Sequence, residues 1–187
     1  MNRLLKKLCD YLPLAMMAGV IVGADQATKF LVRSNLSLGE SWMPWEWLAP
    51  TVRVVHWRNT GAAFGLFPDG SFFFAIAAIL VSIAIVFYWP QIPKEMPWLR
   101  LALALQMGGA LGNLTDRLSQ RPVTDFISVW TFPVFNVADS CITVGVIVLV
   151  IATWVDERGQ RRKMHAESSL GAREEVSEGE SPLGERG

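Results

Sequence analysis

The sequence predicts an all-α membrane protein with four transmembrane helices, cytoplasmic N- and C-termini, and a small extracytoplasmic β-rich segment between helices 1 and 2. Three observations support this fold class. Hydrophobic residues make up 51% of the 187 positions, and charged residues only 18%. Eight of the 17 acidic residues follow Val155, so the first 155 positions hold just nine. Four apolar stretches there are long enough to cross a ~30 Å hydrocarbon core as helices.

The four predicted spans differ in their polar content. The first is interrupted by Asp25, Gln26 and Lys29, the second is uncharged, the third ends in polar residues, and the fourth carries one carboxylate, Asp139. The spans cover residues 12–32, 72–89, 98–118 and 134–154.

The flanking charges predict the orientation of the spans. Lysine and arginine concentrate at the N-terminus, between spans two and three, and after span four, whereas only Arg121 lies between spans three and four. By the positive-inside rule, residues 33–71 and 119–133 then face outside. The basic N-terminus and the apolar run ending Val22-Gly23-Ala24 also fit a cleavable signal peptide. A retained span fits better, because three further spans follow and polar residues continue inside the same helix.

Two segments outside the spans have their own character. The outer segment 33–71 is too long for a simple turn, and its run Thr51-Val-Arg-Val-Val-His-Trp is rich in β-branched residues, which predicts a small sheet. Residues 156–187 contain almost no large apolar residues, which predicts a disordered cytoplasmic tail. We therefore expect one membrane domain, 1–155, followed by a charged tail, 156–187. We also expect the protein to be a monomer.

Polar side chains from three predicted helices converge on the outer half of the bilayer. With a rise of 1.5 Å per residue, Asp25 lies roughly 20 Å across the membrane in span one. The outer end of span three carries Asn113, Asp116 and Arg117, and the first two turns of span four carry Asn136 and Asp139. The simpler alternative is that these groups are structural contacts that hold a helix bundle together.

Asp139 is the strongest candidate for chemistry. Placing an ionisable group inside a membrane span costs at least a few kcal/mol of free energy. The span that contains Asp139 has no lysine or arginine that could pair with it. Its partner in an acid–base pair is either Asp116 or Asp125, since spacing alone does not decide between them. Asp116 is followed directly by Arg117, and a carboxylate beside a guanidinium tends to stay ionised. This favours a structural role for Asp116 and a catalytic role for Asp125, which we expect in a loop that folds back over the start of span four.

Other chemistries have little support. The two histidines, His56 and His165, lie in the outer segment and the tail, which disfavours a histidine-based zinc site. Two cysteines give neither a zinc pattern nor a disulfide framework. We found no phosphate loop and no serine-nucleophile motif, and no basic stripe points to nucleic acid. We therefore expect no metal and no cofactor.

Five motifs in register resemble those of the bacterial lipoprotein signal peptidases (type II signal peptidases). They are Asp25-Gln-Ala-Thr-Lys29, Asn59-Thr-Gly-Ala-Ala-Phe64, Gly108-Gly-Ala-Leu-Gly-Asn-Leu-Thr-Asp-Arg117, Val123-Thr-Asp-Phe126 and Phe135-Asn-Val-Ala-Asp-Ser140. The resemblance covers roughly residues 12–155. Two departures are visible: Thr124 stands where the family usually has an aliphatic residue, and the 13 residues between Asp125 and Asp139 are few for the family.

The resemblance implies an intramembrane aspartyl endopeptidase of the bacterial inner membrane, with its site on the extracytoplasmic side. It would cut diacylglyceryl-modified prolipoproteins before the lipidated cysteine, with Asp125 and Asp139 activating water. Its partners would be these membrane-embedded substrates and membrane lipids, and no metal is required. The residues implied to bind substrate or support the pair are Asp25, Lys29, Asn59, Gly61, Gly109, Asn113, Arg117, Asn136 and Ala138.

Two other function classes also use intramembrane carboxylates. A proton-coupled transporter usually needs more helices and broken spans at the midplane. A non-catalytic scaffold would use the polar cluster only to join helices. Cleavage of a lipid-modified peptide distinguishes the enzyme from both, and proton flux in liposomes identifies the transporter.

Overall fold

A computed structural model describes residues 3–61, 70–119 and 122–179, which form four helices and three short strands. The helices are α1 (Arg3–Asn35), α2 (Ser71–Tyr88), α3 (Pro97–Ser119) and α4 (Val137–Gly179), and a 3-10 turn (Trp89–Gln91) follows α2. The strands are β1 (Ser41–Trp42), β2 (Val52–Asn59) and β3 (Val123–Val129). The protein is therefore mostly helical, with a small antiparallel sheet.

Three of the described helices are long and apolar enough to cross a membrane. These stretches are Leu8–Asn35, Ser71–Gln91 and Val137–Gly159. On α2, large apolar side chains such as Phe73, Ile83 and Phe87 are exposed, as expected of a surface that meets lipid rather than water. Helix α3 is less apolar because it carries several polar residues. Helix α3 has 23 residues, or roughly 34 Å at 1.5 Å per residue, which is long enough to cross a membrane. That α3 is a fourth membrane span stays a prediction.

Helix α3 contacts both α1 and α2, and its glycines bring its neighbours close. A Cβ atom at Gly112 would lie 2.8 Å from Oδ2 of Asp25 in α1, and one at Gly109 would collide with the backbone carbonyl of Ala138 in α4. Only residues without a Cβ allow this approach, as in other small-residue helix contacts. The glycines thus place α1, α3 and α4 side by side at the level of the polar residues.

The opposite end of the bundle is held around Trp89. Its side chain is 1% exposed, and its indole N–H donates to the carbonyl oxygen of Asp10 at 2.7 Å. The Arg100 guanidinium lies over the same ring, 4.8 Å from its centroid, and donates to the carbonyl of Ile92 at 2.7 Å. These contacts fix α1, the end of α2 and the start of α3 to one another.

The sheet corrects the predicted location of the β structure. Its strands are antiparallel in the order β1-β2-β3, with a register shift between Val54 and Trp57. The prediction of strands in segment 33–71 accounts for β1 and β2, and residues 62–69 of that segment lie outside the described residues. It missed β3, which lies between α3 and α4. Asp125 is therefore in a strand, opposite Trp57, and not in the predicted loop. The run 123–129 is rich in β-branched residues, which favour pairing with β2.

The chain separates into two compact units, Met1–Leu149 and Val150–Gly187. In the second unit the helix continues to Gly179, whereas disorder was predicted for 156–187. Five glutamates and four arginines between residues 156 and 179, both strong helix formers, account for the helical backbone. Within this unit the Arg158 guanidinium lies 3.7 Å from the centroid of the Trp154 ring. Residues 180–187 lie outside the described residues, and the division at 155 stays a prediction.

Candidate active site

Asp125 and Asp139 reach the same cavity from different elements. Asp125 extends from β3 and is 1% exposed, and Asp139 lies in the first turn of α4. Both carboxyl groups line a cavity of about 710 Å³ that also borders α2 and α3. Its walls are largely apolar, with Phe74, Ala77, Ala78, Val81, Ile142 and Val144 among the lining residues. The structure therefore brings together the two aspartates that the sequence paired.

Asp139 is held by the start of its own helix. Asn136 precedes the first helical residue, and its Oδ1 accepts the backbone N–H of Asp139 at 2.9 Å. In return, Oδ2 of Asp139 accepts the backbone N–H of Asn136 at 3.2 Å. This reciprocal pair is a capping box, which satisfies two N–H groups that the helix leaves without partners. The capping box fixes Oδ2 of Asp139 and leaves Oδ1 to accept a hydrogen bond from another residue.

Three asparagine amides donate to the remaining carboxyl oxygens. Asn136 donates to Oδ1 of Asp125 at 2.6 Å, and Asn59 donates to its Oδ2 at 2.9 Å. Asn113 donates to Oδ1 of Asp139 at 2.7 Å. Each of the four oxygens thus accepts one hydrogen bond and keeps further acceptor capacity toward the cavity. The arrangement holds two carboxyl groups in place without neutralising them.

Asn59 is itself fixed by a turn. Its Oδ1 accepts the backbone N–H of Gly61 at 3.0 Å, so that its NH₂ group is free to face Asp125. Asn59 and Gly61 both line the cavity. The rest of the Asn59–Phe64 motif, residues 62–64, lies outside the described residues.

A buried ionic cluster lies behind the two aspartates. Lys29 is fully buried, and its Nζ lies 2.8 Å from Oδ2 of Asp25 and 3.0 Å from Oδ2 of Asp116. It also donates to Oδ1 of Asn113 at 2.9 Å, so all three N–H groups of the ammonium have partners. Because Lys29 can only donate, it forces the oxygen of the Asn113 amide toward itself and the NH₂ group toward Asp139.

The same cluster supports the start of α4. Oδ1 of Asp25 accepts the backbone N–H of Ala138 at 3.0 Å, and Ala138 is completely buried against Gly109. Sequence reasoning did not select Gln26, whose Nε2 lies within 3.2 Å of acceptors on Asp25, Gly112 and Asp116. Gln26 could have been selected from the sequence, because it lies next to Asp25 among the polar residues that interrupt span one.

Asp116 and Arg117 diverge, contrary to the reasoning that paired them as sequence neighbours. Asp116 is fully buried and pairs with Lys29 and, at 3.7 Å, with Arg33, both from α1. The Arg117 guanidinium lies 5.5 Å from the centroid of the Phe74 ring and lines the cavity. Adjacent residues on a helix point about 100° apart, which explains why the cations of Asp116 come from another helix. Of the described residues, Asp116 is not among those that line the cavity.

The environment of Asp125 favours its protonated form. Burial raises the pKa of Asp125 to about 7, and the negative charge of Asp139 acts in the same direction. Hydrogen bonds from Asn59 and Asn136 and the charge of Lys29 oppose the increase by stabilising the carboxylate. A carboxyl group of this kind is half-protonated near neutral pH.

The two opposing influences on Asp125 can be separated by substitution. In Asp139→Asn we expect the pKa of Asp125 to fall, because the repelling negative charge is gone. In Asn59→Ala it should rise, because the carboxylate loses a hydrogen-bond donor. Carboxyl ¹³C chemical shifts measured over pH 4–9 report both changes. An unchanged pKa in Asp139→Asn would show that the two carboxyl groups do not interact.

Across the described ranges, no group of three or more His, Cys, Asp and Glu residues is arranged to share a metal ion. The side chains around the cavity instead supply carboxyl groups, amides and one guanidinium. Such groups can exchange protons and donate hydrogen bonds to a bound amide.

Comparisons with known proteins agree on one family. The family described as signal peptidase (SPase) II matches residues 17–155. The chain is 39% identical over 156 residues to the lipoprotein signal peptidase of Bacillus subtilis, covering 79% of this chain and 96% of that protein. It is also 39% identical over 138 residues to the lipoprotein signal peptidase of Moorella thermoacetica, covering 74% and 90%.

A solved structure is also similar. It is described as a bacterial membrane enzyme determined by the in meso method, and it aligns with a TM-score of 0.71 at 32% identity. The alignment covers 78% of this chain and 89% of that one. The sequence and fold comparisons therefore cover similar shares of the chain, 79% and 78%.

Proposed function

The chain belongs to the signal peptidase II family, and we propose that it is an intramembrane aspartyl endopeptidase acting on diacylglyceryl-modified prolipoproteins. It removes the signal peptide by cutting immediately before the lipidated cysteine. The observation that carries the proposal is the pair of carboxyl groups, Asp125 and Asp139, facing one largely apolar cavity. Membership in this protease family supplies the substrate class, and the geometry supplies the chemistry.

The two aspartates act as a pair that holds one proton. Two nearby carboxyl groups with little solvent do not both ionise readily, so one remains protonated near neutral pH. Because the pair titrates as a unit, the proton belongs to both. As the pH rises through the pKa of about 7 of Asp125, this proton is lost, and cleavage should decline.

The reaction follows from this single-proton state. The ionised carboxylate removes a proton from a water molecule, whose oxygen attacks the scissile carbonyl carbon. The protonated carboxyl group donates a hydrogen bond to the carbonyl oxygen as negative charge develops there. When the tetrahedral intermediate collapses, a proton passes to the leaving amine and the C–N bond breaks. The products are a signal peptide carboxylate and a lipoprotein with a free amino terminus.

The supporting residues keep this geometry in place. Asn59, Asn113 and Asn136 hold the carboxyl oxygens, and Lys29 fixes the orientation of Asn113. Asp25, Gly109 and Ala138 position the start of α4. Gly61 fixes Asn59 through its backbone N–H. Arg117 lines the cavity, where its guanidinium can donate to the substrate backbone. Asp116 has a structural role, because it pairs with Lys29 and Arg33.

The membrane arrangement fits a substrate held in the lipid. We propose four spans with cytoplasmic termini, in the bacterial inner membrane, with the site near the extracytoplasmic surface. A signal helix and two acyl chains can enter the apolar cavity laterally, which brings the peptide bond before the cysteine to the aspartates. Its partners are these substrates and the surrounding lipids, and the enzyme acts as a monomer.

The proposal can be tested with purified protein in lipid. We expect it to shift the mobility of a diacylated prolipoprotein on a gel and to leave the same protein without lipid uncut. Cleavage of both forms at equal rates would contradict the assigned substrate class. Absence of any cleavage, with lipid and detergent varied, would contradict the activity itself.

Asn113→Ala and Asn136→Ala should each lower kcat while the protein stays folded. Asn136→Ala removes the donor to Asp125 and half of the capping box, so its effect should be larger, on the order of 100-fold against tenfold for Asn113→Ala. Cleavage rates and thermal unfolding in detergent measure the two properties separately. Full activity in both variants would remove these residues from the site.

A further inference from the structure

We propose that Thr124 is a positioning residue that fixes Asp125 by tying strand β3 to helices α1 and α3. The inference rests on the proposed function, because it concerns the placement of a carboxyl group assigned to the reaction. Thr124 is 3% exposed, and a hydroxyl group buried to this extent needs a hydrogen-bond partner.

Thr124 and Asp125 face opposite sides of the strand. Successive side chains in a β-strand alternate, so the side chain of Thr124 points toward the helices while that of Asp125 points to the cavity. Oγ1 of Thr124 accepts a hydrogen bond from Nη1 of Arg33 in α1 at 3.1 Å. Its backbone N–H donates to Oδ2 of Asp116 in α3 at 3.1 Å.

The contacts close a ring of three residues. Nη1 of Arg33 also lies 3.7 Å from Oδ1 of Asp116, so the guanidinium contacts both the carboxylate and the hydroxyl. Arg33 lies one helical turn beyond Lys29, and the two cations of α1 therefore bracket Asp116. Thr124 is the only member of this ring that belongs to the sheet.

The position of β3 in the sheet explains why such a tie is needed. The strand order β1-β2-β3 makes β3 an edge strand, with β2 on one side only. On its other side, the amides of Phe126 and Ile127 donate to the carbonyl of Phe135 at 3.0 and 2.8 Å. The contacts of Thr124 with Arg33 and Asp116 hold the strand at the residue before Asp125. Asp125 thus lies between two anchors, one from the segment before α4 and one from α1 and α3.

An aliphatic residue at position 124 would keep the backbone bond to Asp116 and lose the bond to Arg33. A displacement of about 1 Å at a reacting group can cost on the order of 100-fold in rate. For the partial loosening of one anchor, we expect Thr124→Val to lower kcat by about tenfold, with KM little changed. Thr124→Ser keeps the hydroxyl and should retain a rate within about twofold of the wild type.

A second readout distinguishes positioning from a general loss of stability. The charged groups around Asp125 are Asp139, Lys29 and Arg117. If Asp125 gains freedom in Thr124→Val, it becomes better solvated and is less affected by the charge of Asp139. Burial and Asp139 are the two largest influences on the pKa of Asp125, so their weakening outweighs any loss of the hydrogen bonds from Asn59 and Asn136, and the pKa should fall. The alkaline limb of the pH–rate profile should shift to lower pH in Thr124→Val and stay in place in Thr124→Ser.

The experiment compares the wild type, both Thr124 variants, Arg33→Gln, and the double variant Arg33→Gln/Thr124→Val. If Arg33 and Thr124 act through the hydrogen bond between them, the double variant should be no less active than the less active of the two single variants. A wild-type kcat and an unshifted pH profile in Thr124→Val would overturn the inference. It would also be overturned if the fold-loss in kcat of the double variant equalled the product of the two single fold-losses. If the wild type does not cleave, the proposed function fails separately, and the ¹³C-measured pKa of Asp125 in the two Thr124 variants still decides the positioning role.

Discussion

Asp125→Asn and Asp139→Asn are each expected to abolish cleavage, with a loss of at least about 10³-fold. Removing a general acid–base group typically costs 10²–10⁴-fold, and here the same pair must both activate water and protonate the leaving amine. Asparagine has nearly the shape of aspartate but cannot accept and return the proton. Both variants should remain folded and bind substrate, because the ionic cluster around Lys29 is unaffected. Cleavage rate, substrate binding and thermal unfolding in detergent measure the three properties.

Asp116→Asn is the matched control for this experiment. Asp116 is a buried aspartate in the same region, but it is paired with Lys29 and Arg33, away from the cavity lining. Its substitution should lower thermal stability and leave partial activity. If Asp125→Asn cleaves at near the wild-type rate while Asp116→Asn is stable and inactive, the catalytic pair is Asp116 and Asp139.

Lys29→Met should have the largest effect on stability. Lys29 is fully buried and is the ion-pair partner of both Asp25 and Asp116. Removing one member of a buried pair leaves an uncompensated charge and costs about 3–5 kcal/mol in free energy of unfolding. The variant should also lose activity, since Asn113 is no longer held with its NH₂ group toward Asp139. Unfolding in detergent, followed by near-ultraviolet circular dichroism, measures the change in stability.

The penalty in Lys29→Met arises from charge, so removing charge should relieve it. In the triple variant Lys29→Met/Asp25→Asn/Asp116→Asn, a substantial part of the lost stability should return. A Lys29→Met protein as stable as the wild type would show that the cluster does not carry the ionic energy assigned to it. Equal instability in the single and triple variants would attribute the effect to packing.

The parts of the site that follow from depth and local spacing were predictable from the sequence. A rise of 1.5 Å per residue placed Asp25, Asn113 and Asn136 at one level. In the structure Lys29 contacts Asp25 and Asn113 there, and Asn136 donates to Asn113. Asp25 and Lys29 are four residues apart, a spacing that places both side chains on one face of a helix, and their charged atoms lie 2.8 Å apart. Both observations depend only on helical geometry.

The remaining contacts depend on residues far apart in sequence. The partners of Asp116 come from α1, and no local pattern shows that Lys29 and Arg33 rather than Arg117 would pair with it. Strand β3 escaped prediction because a seven-residue strand is recognised by its partner, and β2 lies more than 60 residues earlier. The role of Thr124 depends on both, since its hydroxyl acquires a partner only when β3 packs against α1.

The most direct measurement is the mass of both products after a diacylated prolipoprotein is cleaved in H₂¹⁸O by the purified protein. A lipoprotein beginning at the diacylglyceryl cysteine is expected, together with a signal peptide whose new carboxylate carries one ¹⁸O from the attacking water. Neither product should form with Asp139→Asn. A cut at another bond, or equal product from wild type and Asp139→Asn, would contradict an aspartyl peptidase that cleaves before the lipidated cysteine.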